Sequence, residues 1–248
     1  MDVLALIGAM LGFAAVFGGS LLEGIGVGGL LNLPAAVIVL GGTLGAVLLQ
    51  TPAATLRLAG ARLRWVLRPP GRELAPQVER MAEWAGQVRR AGLVCLEDLA
   101  RGERDPFLRD GMQLVADGED PLVLRRSLEL DSETRLSSDL AAAGVFRSMG
   151  GYAPTIGIVG AVLGLIQVMG HLDDPEQLGM GIATAFVATI YGVGSANLVF
   201  LPLADRLRSI AETEWQFRAM VLEGLMCIGD GEHPVKIRSR LGGFLPPS

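Results

Sequence analysis

Few residues of this sequence are equipped for chemistry at membrane depth, and their distribution is informative. Two runs free of charged side chains, Ser148–Gly170 and Gln177–Ala204, flank a turn containing His171, Asp173, Asp174 and Glu176. Each run is long enough to cross a bilayer, which takes about 20 apolar residues. An ionisable group at membrane depth is the usual mark of a proton or ion relay, and neither run holds an Asp, Glu, Lys, Arg or His. If ions pass here, another chain must supply the carboxylate. The acidic turn either gathers cations at a mouth or is simply solvated. Inside the runs, Pro154 and Pro202 each remove a backbone donor and loosen one helical turn, so each is a hinge or a helix boundary. Thr155, Thr184 and Thr189 carry hydroxyls whose common partner in such a helix is the carbonyl four residues back.

These residues need helices to hold them, and both runs are rich in the small residues that let helices approach. Gly157, Gly160 and Gly164 recur along the first run, and Gly181, Ala185, Thr189 and Gly192 form a similar stripe on the second. The two runs read as a transmembrane hairpin built for close packing.

The composition agrees. The 248 residues are 50% hydrophobic, 19% charged and 5% aromatic, with 34 glycines, which moves the expectation from a soluble globular protein to a helical membrane protein. Charge is segregated: the first 56 positions hold only Asp2 and Glu23, while the arginines fall in Arg57–Arg147 and after Ala204. The net charge of −5 therefore averages unlike regions. The opening MDVLALIGAM lacks a basic segment before its apolar stretch and reads as a retained first helix. Cys95 and Cys227 fall in segments expected in the cytoplasm and lack metal-site spacing, so no disulfide is expected. There is no Walker A loop, dinucleotide fingerprint, His-rich cluster or solenoid repeat. No enzyme activity, cofactor, metal or nucleic-acid partner is expected.

Four spans follow in order. Val3–Leu22 is the first, and the second runs from about Pro34 to Leu49 before Thr51-Pro52 ends it. Arg57, Arg62, Arg64 and Arg68 follow directly, so by the positive-inside bias this side and the amino terminus are cytoplasmic and Glu23 lies outside. Residues 52–147 form a large helical cytoplasmic insert. Val78, Met81, Ala85 and Val88 keep helical spacing, Gly92 breaks that helix, and a short helix starts near Leu93. Asp105-Pro106 and Asp120-Pro121 read as helix starts, since proline at the first helical position loses no hydrogen bond. The helix from Pro121 runs on into the third span. The fourth span ends near Ala204 and extends as an amphipathic helix carrying Leu207, Ile210, Phe217, Val221 and Leu225. The tail after GDGEHP, with Lys236, Arg238 and Arg240 and the ending FLPPS, reads as mobile. The expected fold class is all-α, a polytopic membrane protein. Its expected divisions are 1–51 for the first two spans, 52–147 for the insert, 148–204 for the last two spans, and 205–248 for the amphipathic helix and tail.

Two spans, a large insert and two spans, with APTIGIVGAVLGLI opening the third and ATAFVATIYGVGSANLVFLPLADRL closing the fourth, resemble the MotA/PomA family of flagellar motor stator subunits. The insert segment VRRAGLVCLED shares the likeness. The resemblance implies a homo-oligomeric, pentameric ring in the bacterial inner membrane, in contact with membrane lipid, around a MotB-like B subunit. That partner would supply the ion-binding aspartate and a peptidoglycan anchor, and the insert would push on the rotor switch protein FliG. It also implies roles: Pro154 and Pro202 couple ion flow to movement, Thr189 faces the pore, and Arg89, Arg90 and Glu97 meet complementary charges on the rotor. From the residues alone, those three read as a solvated helix face with local ion pairs. Ala161 stands where sodium-driven members usually carry a threonine. An alanine offers no oxygen ligand to Na⁺, so H⁺ is the expected ion and Na⁺ the less expected. The related ExbB/TolQ energisers of envelope transport share the last hairpin but usually have three spans; they are the alternative.

Overall fold

The computed structural model describes residues 3–22, 24, 26–171 and 173–245. Glu23, expected on the outer side, and Pro246–Ser248 of the expected mobile tail lie outside the described residues. Among the described residues every regular element is helical. In chain order these are α1 (Val3–Leu22), α2 (Leu33–Gln50), α3 (Ala53–Leu67), α4 (Leu74–Ala91), α5 (Cys95–Gly102), α6 (Pro106–Ala116), α7 (Pro121–Met169), α8 (Pro175–Gly229) and α9 (Pro234–Leu241). By length and composition α2, α7 and α8 can cross a membrane, and α1 has a shorter apolar stretch, Met10–Leu22.

The helix starts follow the expected chemistry. Asn32 caps α2 by accepting from the Ala35 N–H at 2.9 Å. Asp105 caps α6, accepting from Phe107 and Leu108, and Asp174 caps α8, accepting from Glu176 and Gln177. In all three a proline sits in the first turn, where its missing N–H costs nothing. At the end of α4, Gly92 takes φ +82°, a left-handed conformation that favours glycine and stops the helix.

The chain divides into two compact units. One contains residues 1–69 and 139–208, the other 70–138 and 209–248. In the first, Ala59 of α3, Ala142, Val145 and Phe146 of α7, and Ala204 and Leu207 of α8 form one core with Val47 of α2. A second small core joins Ala35 and Val39 of α2 to Val187 and Ala188 of α8. Large apolar side chains such as Leu163, Ile166 and Phe186 stay exposed, as suits a lipid or partner surface at membrane depth.

The second unit has an aqueous-type core. Met81 of α4, Leu96 of α5, Leu108 and Met112 of α6, and Met220 and Leu225 of α8 are fully or almost fully buried. All five residues of the expected stripe on α8, Leu207, Ile210, Phe217, Val221 and Leu225, are buried. The tail differs from expectation. Residues 234–241 form α9, with Ile237 and Leu241 fully buried in this core and Arg238 paired with Glu79 at 2.8 Å. Two apolar anchors on one face of a two-turn helix, set between charged residues, are too sparse a signal for periodicity to carry, yet they hold the segment down.

Candidate ion-pathway helices and charged insert

The close approach of α7 and α8 is made by backbone against backbone. A methyl group at Gly192 would lie 2.6 Å from the Ala153 carbonyl oxygen and 3.2 Å from the Pro154 Cα. One at Gly164 would lie 2.7 Å from the Gly181 oxygen and 2.8 Å from the Ala185 nitrogen. Van der Waals contact, not a hydrophobic drive, holds helices at this depth, and small residues permit it. The stripe on α8 differs from expectation at one place. Ala188, fully buried against Gly160 and Gly157, takes the position given to Thr189, whose side chain is exposed on another face. The helical period explains this, because residues 181, 185, 188 and 192 follow the 4-3-4 rhythm of one face and 189 does not.

Pro154 and Pro202 both lie inside continuous helices, not at helix ends. Pro154 is half-buried, its Cα facing Gly192. Pro202 is exposed and follows a π-helical turn, Ala196–Phe200, after which the Leu201 N–H donates to the Ala196 carbonyl five residues back. That wider turn takes up the hydrogen-bond register that a proline would break. A second π-helical turn, Val37–Gly41, occurs in α2.

The three threonine hydroxyls are engaged in their own helices. Thr189 donates to the Ala185 carbonyl at 3.2 Å, Thr155 to that of Tyr152 at 2.8 Å, and Thr184 to that of Met180 at 3.0 Å. Thr184 is buried and also accepts from Asn32 Nδ2 at 3.0 Å. The Tyr191 hydroxyl accepts from the Asn32 N–H at 3.3 Å and donates to the Leu30 carbonyl at 2.5 Å. This latch pins the turn before α2 onto α8; the sequence places the start of the second span near Pro34 but signals neither the Asn32 cap nor its long-range partners. Ala161 is half-buried. Ala161 and Thr189 each sit next in sequence to one member of the Gly160–Ala188 contact.

The acidic turn is explained in part by capping. The Gln177 side chain and N–H, with the Glu176 N–H, hold the Asp174 carboxyl below its ordinary range. Asp173 is exposed. Among the described residues no group of His, Cys, Asp and Glu is arranged to hold a metal.

In the insert, Arg89 and Arg90 end α4 and Glu97 opens α5, with Gly92 between. Arginines at a helix C-terminus and a glutamate at a helix N-terminus both suit the helix dipole. The Arg89 guanidinium donates to the Gly231 carbonyl at 2.9 Å while remaining exposed, Arg90 is exposed, and Glu97 is half-buried at 3.9 Å from Arg101. A buried cluster lies elsewhere in the same unit. Arg72 grips Glu214 with two hydrogen bonds, at 2.7 and 2.9 Å, and also bonds Asp105, with its guanidinium over the Phe217 ring at 4.5 Å. Burial alone would raise the Asp105 carboxyl, but the hydrogen bond and charge of Arg72 outweigh it and hold the group below its ordinary range.

Comparison with known proteins gives a consistent result. The model of the MotA/TolQ/ExbB proton channel family matches residues 100–220. Motility protein A of Bacillus subtilis is 32% identical, the alignment covering 99% of this chain and 92% of that protein. Chemotaxis protein PomA of Vibrio alginolyticus is 30% identical, with 99% and 96% covered. Among solved structures, C. jejuni MotAB superposes with a TM-score of 0.94 at 27% identity over 99% of this chain and 96% of that one. The flagellar MotAB stator complex of Bacillus subtilis gives 0.90 at 31% identity over 97% and 95%. Full-length likeness in sequence and in helical architecture leads to one conclusion: the chain belongs to the MotA/PomA family, within the MotA/TolQ/ExbB proton channel family.

Proposed function

We propose that the chain is the ring-forming A subunit of a proton-driven flagellar stator, a channel-like mechanical subunit with four membrane spans, α1 and α2 and the apolar parts of α7 and α8. The carrying observation is the absence of any Asp, Glu, Lys, Arg or His from the runs 148–170 and 177–204, joined to a likeness to structures solved as MotAB complexes. A MotB-like partner then supplies the aspartate that binds the ion and the anchor to peptidoglycan. Ala161, with no oxygen to offer a sodium ion, favours protons. Protonation of the partner's carboxylate alters helix contacts at Pro154, Thr189 and Pro202; the π-helical turn before Pro202 and the Pro154–Gly192 approach support hinges there. Arg89, Arg90 and Glu97 carry the movement to the rotor protein FliG by opposite-charge contacts that set encounter and orientation. The arginines after α2 support an inner-membrane protein with cytoplasmic termini. A largely apolar cavity of about 380 Å³ between Phe13, Phe17, Leu40, Ile190 and Leu198 supports contact with lipid chains.

The test is swimming of a stator-deleted flagellate that carries this gene with a B-subunit gene. In sodium-free medium we expect swimming that a protonophore abolishes. Swimming restored only by added sodium would overturn the ion, and no swimming with both proteins present would overturn the stator reading.

A further inference from the structure

The second unit contains a cleft of about 270 Å³ between α7 and α8, and Arg89, Arg90 and Glu97 are not among the residues that line it. Its walls are chemically specific. Trp215 and Phe244 line it with faces 40% and 37% exposed, although large aromatic side chains in aqueous surroundings ordinarily bury more. Three carboxylates, Glu129, Glu133 and Glu223, line it against a single arginine, Arg125.

The charge balance leaves one carboxylate over. Arg125 reaches both Glu129 and Glu223 at 3.3 Å, and Arg240 reaches Glu223 from outside the cleft at 2.5 Å. Glu133 has no ion-pair partner among the described residues. Ser132, beside it, is only 5% exposed, and its hydroxyl is buried with no hydrogen-bond partner among the described residues. A buried hydroxyl left unpaired costs free energy that a ligand's donor would recover.

An uncompensated carboxylate, an unsatisfied hydroxyl and two exposed aromatic faces around one cleft describe the recognition of a planar cation. We propose that this cleft is a docking pocket for an arginine side chain of a partner protein. The guanidinium stacks on Trp215 or Phe244, donates to the Glu133 carboxylate, and presents N–H groups on the side of Ser132. Arginine suits this better than lysine because its weakly hydrated, planar head stacks on aromatic rings and carries donors at its edge. The proposal is independent of the stator reading, which uses other residues of this unit.

The test uses the full chain in a zwitterionic detergent, labelled with 5-fluorotryptophan. The chain has 3 tryptophans, and the Trp215 signal is identified by its loss in Trp215→Phe. Titration with an acetylated tri-arginine amide should move the Trp215 resonance saturably and leave those of Trp65 and Trp84 in place. Glu133→Gln, an exposed position outside the core, should weaken that binding about tenfold, the size of one lost charge-assisted hydrogen bond. Tri-lysine should bind more weakly and tri-glutamate not at all. A Trp215 signal that does not move, or that moves equally in Glu133→Gln, would overturn the pocket. A resonance that instead shifts on dilution of the protein, with no response to the peptide, would show that a second copy of the chain fills the cleft and would also overturn it.

Discussion

At the scale of single residues, the second unit depends on Arg72. Its guanidinium satisfies the buried Glu214 carboxylate with two parallel bonds and the capping Asp105 with a third, so its removal strands two anions of low exposure. Breaking a buried ion pair costs about 3–5 kcal/mol; Arg72 is still 21% exposed, so Arg72→Ala should cost about 2–3 kcal/mol by the same reasoning. Asp105 gives the pH dependence. Its folded carboxyl lies below its unfolded value, so its contribution is present above about pH 4 and lost as the pH falls through the folded value. Asp105→Asn keeps a cap acceptor but removes the charge. The expected outcome is a lower melting temperature near neutral pH and a flatter loss on acidification, read by thermal unfolding of the detergent-solubilised chain. Cys227 needs no such dependence. Burial and the neighbouring Glu232 push its thiol up to about 12, so it stays protonated and unreactive.

At the scale of elements, the α7–α8 hairpin is held by what its glycines leave out. Gly192→Ala would drive a methyl against the Ala153 carbonyl, which is backbone and has no rotamer by which to yield. It should cost about 1–3 kcal/mol as overpacking and impair swimming. Gly179→Ala, on the same helix with no atom within 4 Å of the added methyl, should be neutral or slightly stabilising. Equal melting temperatures for the two variants would refute the close-contact account. Along α8, the π-helical turn before Pro202 shows how an apparent sequence defect is absorbed: the proline is tolerated because the preceding turn already bonds five residues back.

At the scale of the whole molecule, the membrane runs of the last hairpin hold threonine hydroxyls already bonded within their own helices and no Asp, Glu, Lys, Arg or His. A chain of this kind should not conduct by itself. In lipid vesicles under an imposed pH gradient, the chain alone should leak no faster than empty vesicles, whereas co-reconstitution with a B subunit freed of any gating segment should accelerate proton entry. Rapid leak from the chain alone would mean that it holds a relay of its own.

The order of helices, the helix start at Asp105-Pro106, the break at Gly92 and the buried stripe of α8 were legible in the sequence. Each is a local matter, decided by hydrogen bonds or apolar spacing within a few residues. The uncharged runs were legible for the same reason, since hydrophobic length is additive along a chain. Other features were settled only by tertiary contact. Which small residues of α8 meet α7 depends on helix rotation, so Ala188 is inside and Thr189 outside. The anchoring of α9 by Ile237 and Leu241 depends on a core assembled from distant segments. The Arg72 cluster joins residues 33 and 142 positions apart, and the latch of Asn32 with Thr184 and Tyr191 spans 152 and 159. Local pattern determines which helices form and where they stop; which of their faces meet is fixed by packing between distant segments, and periodicity does not encode that pairing.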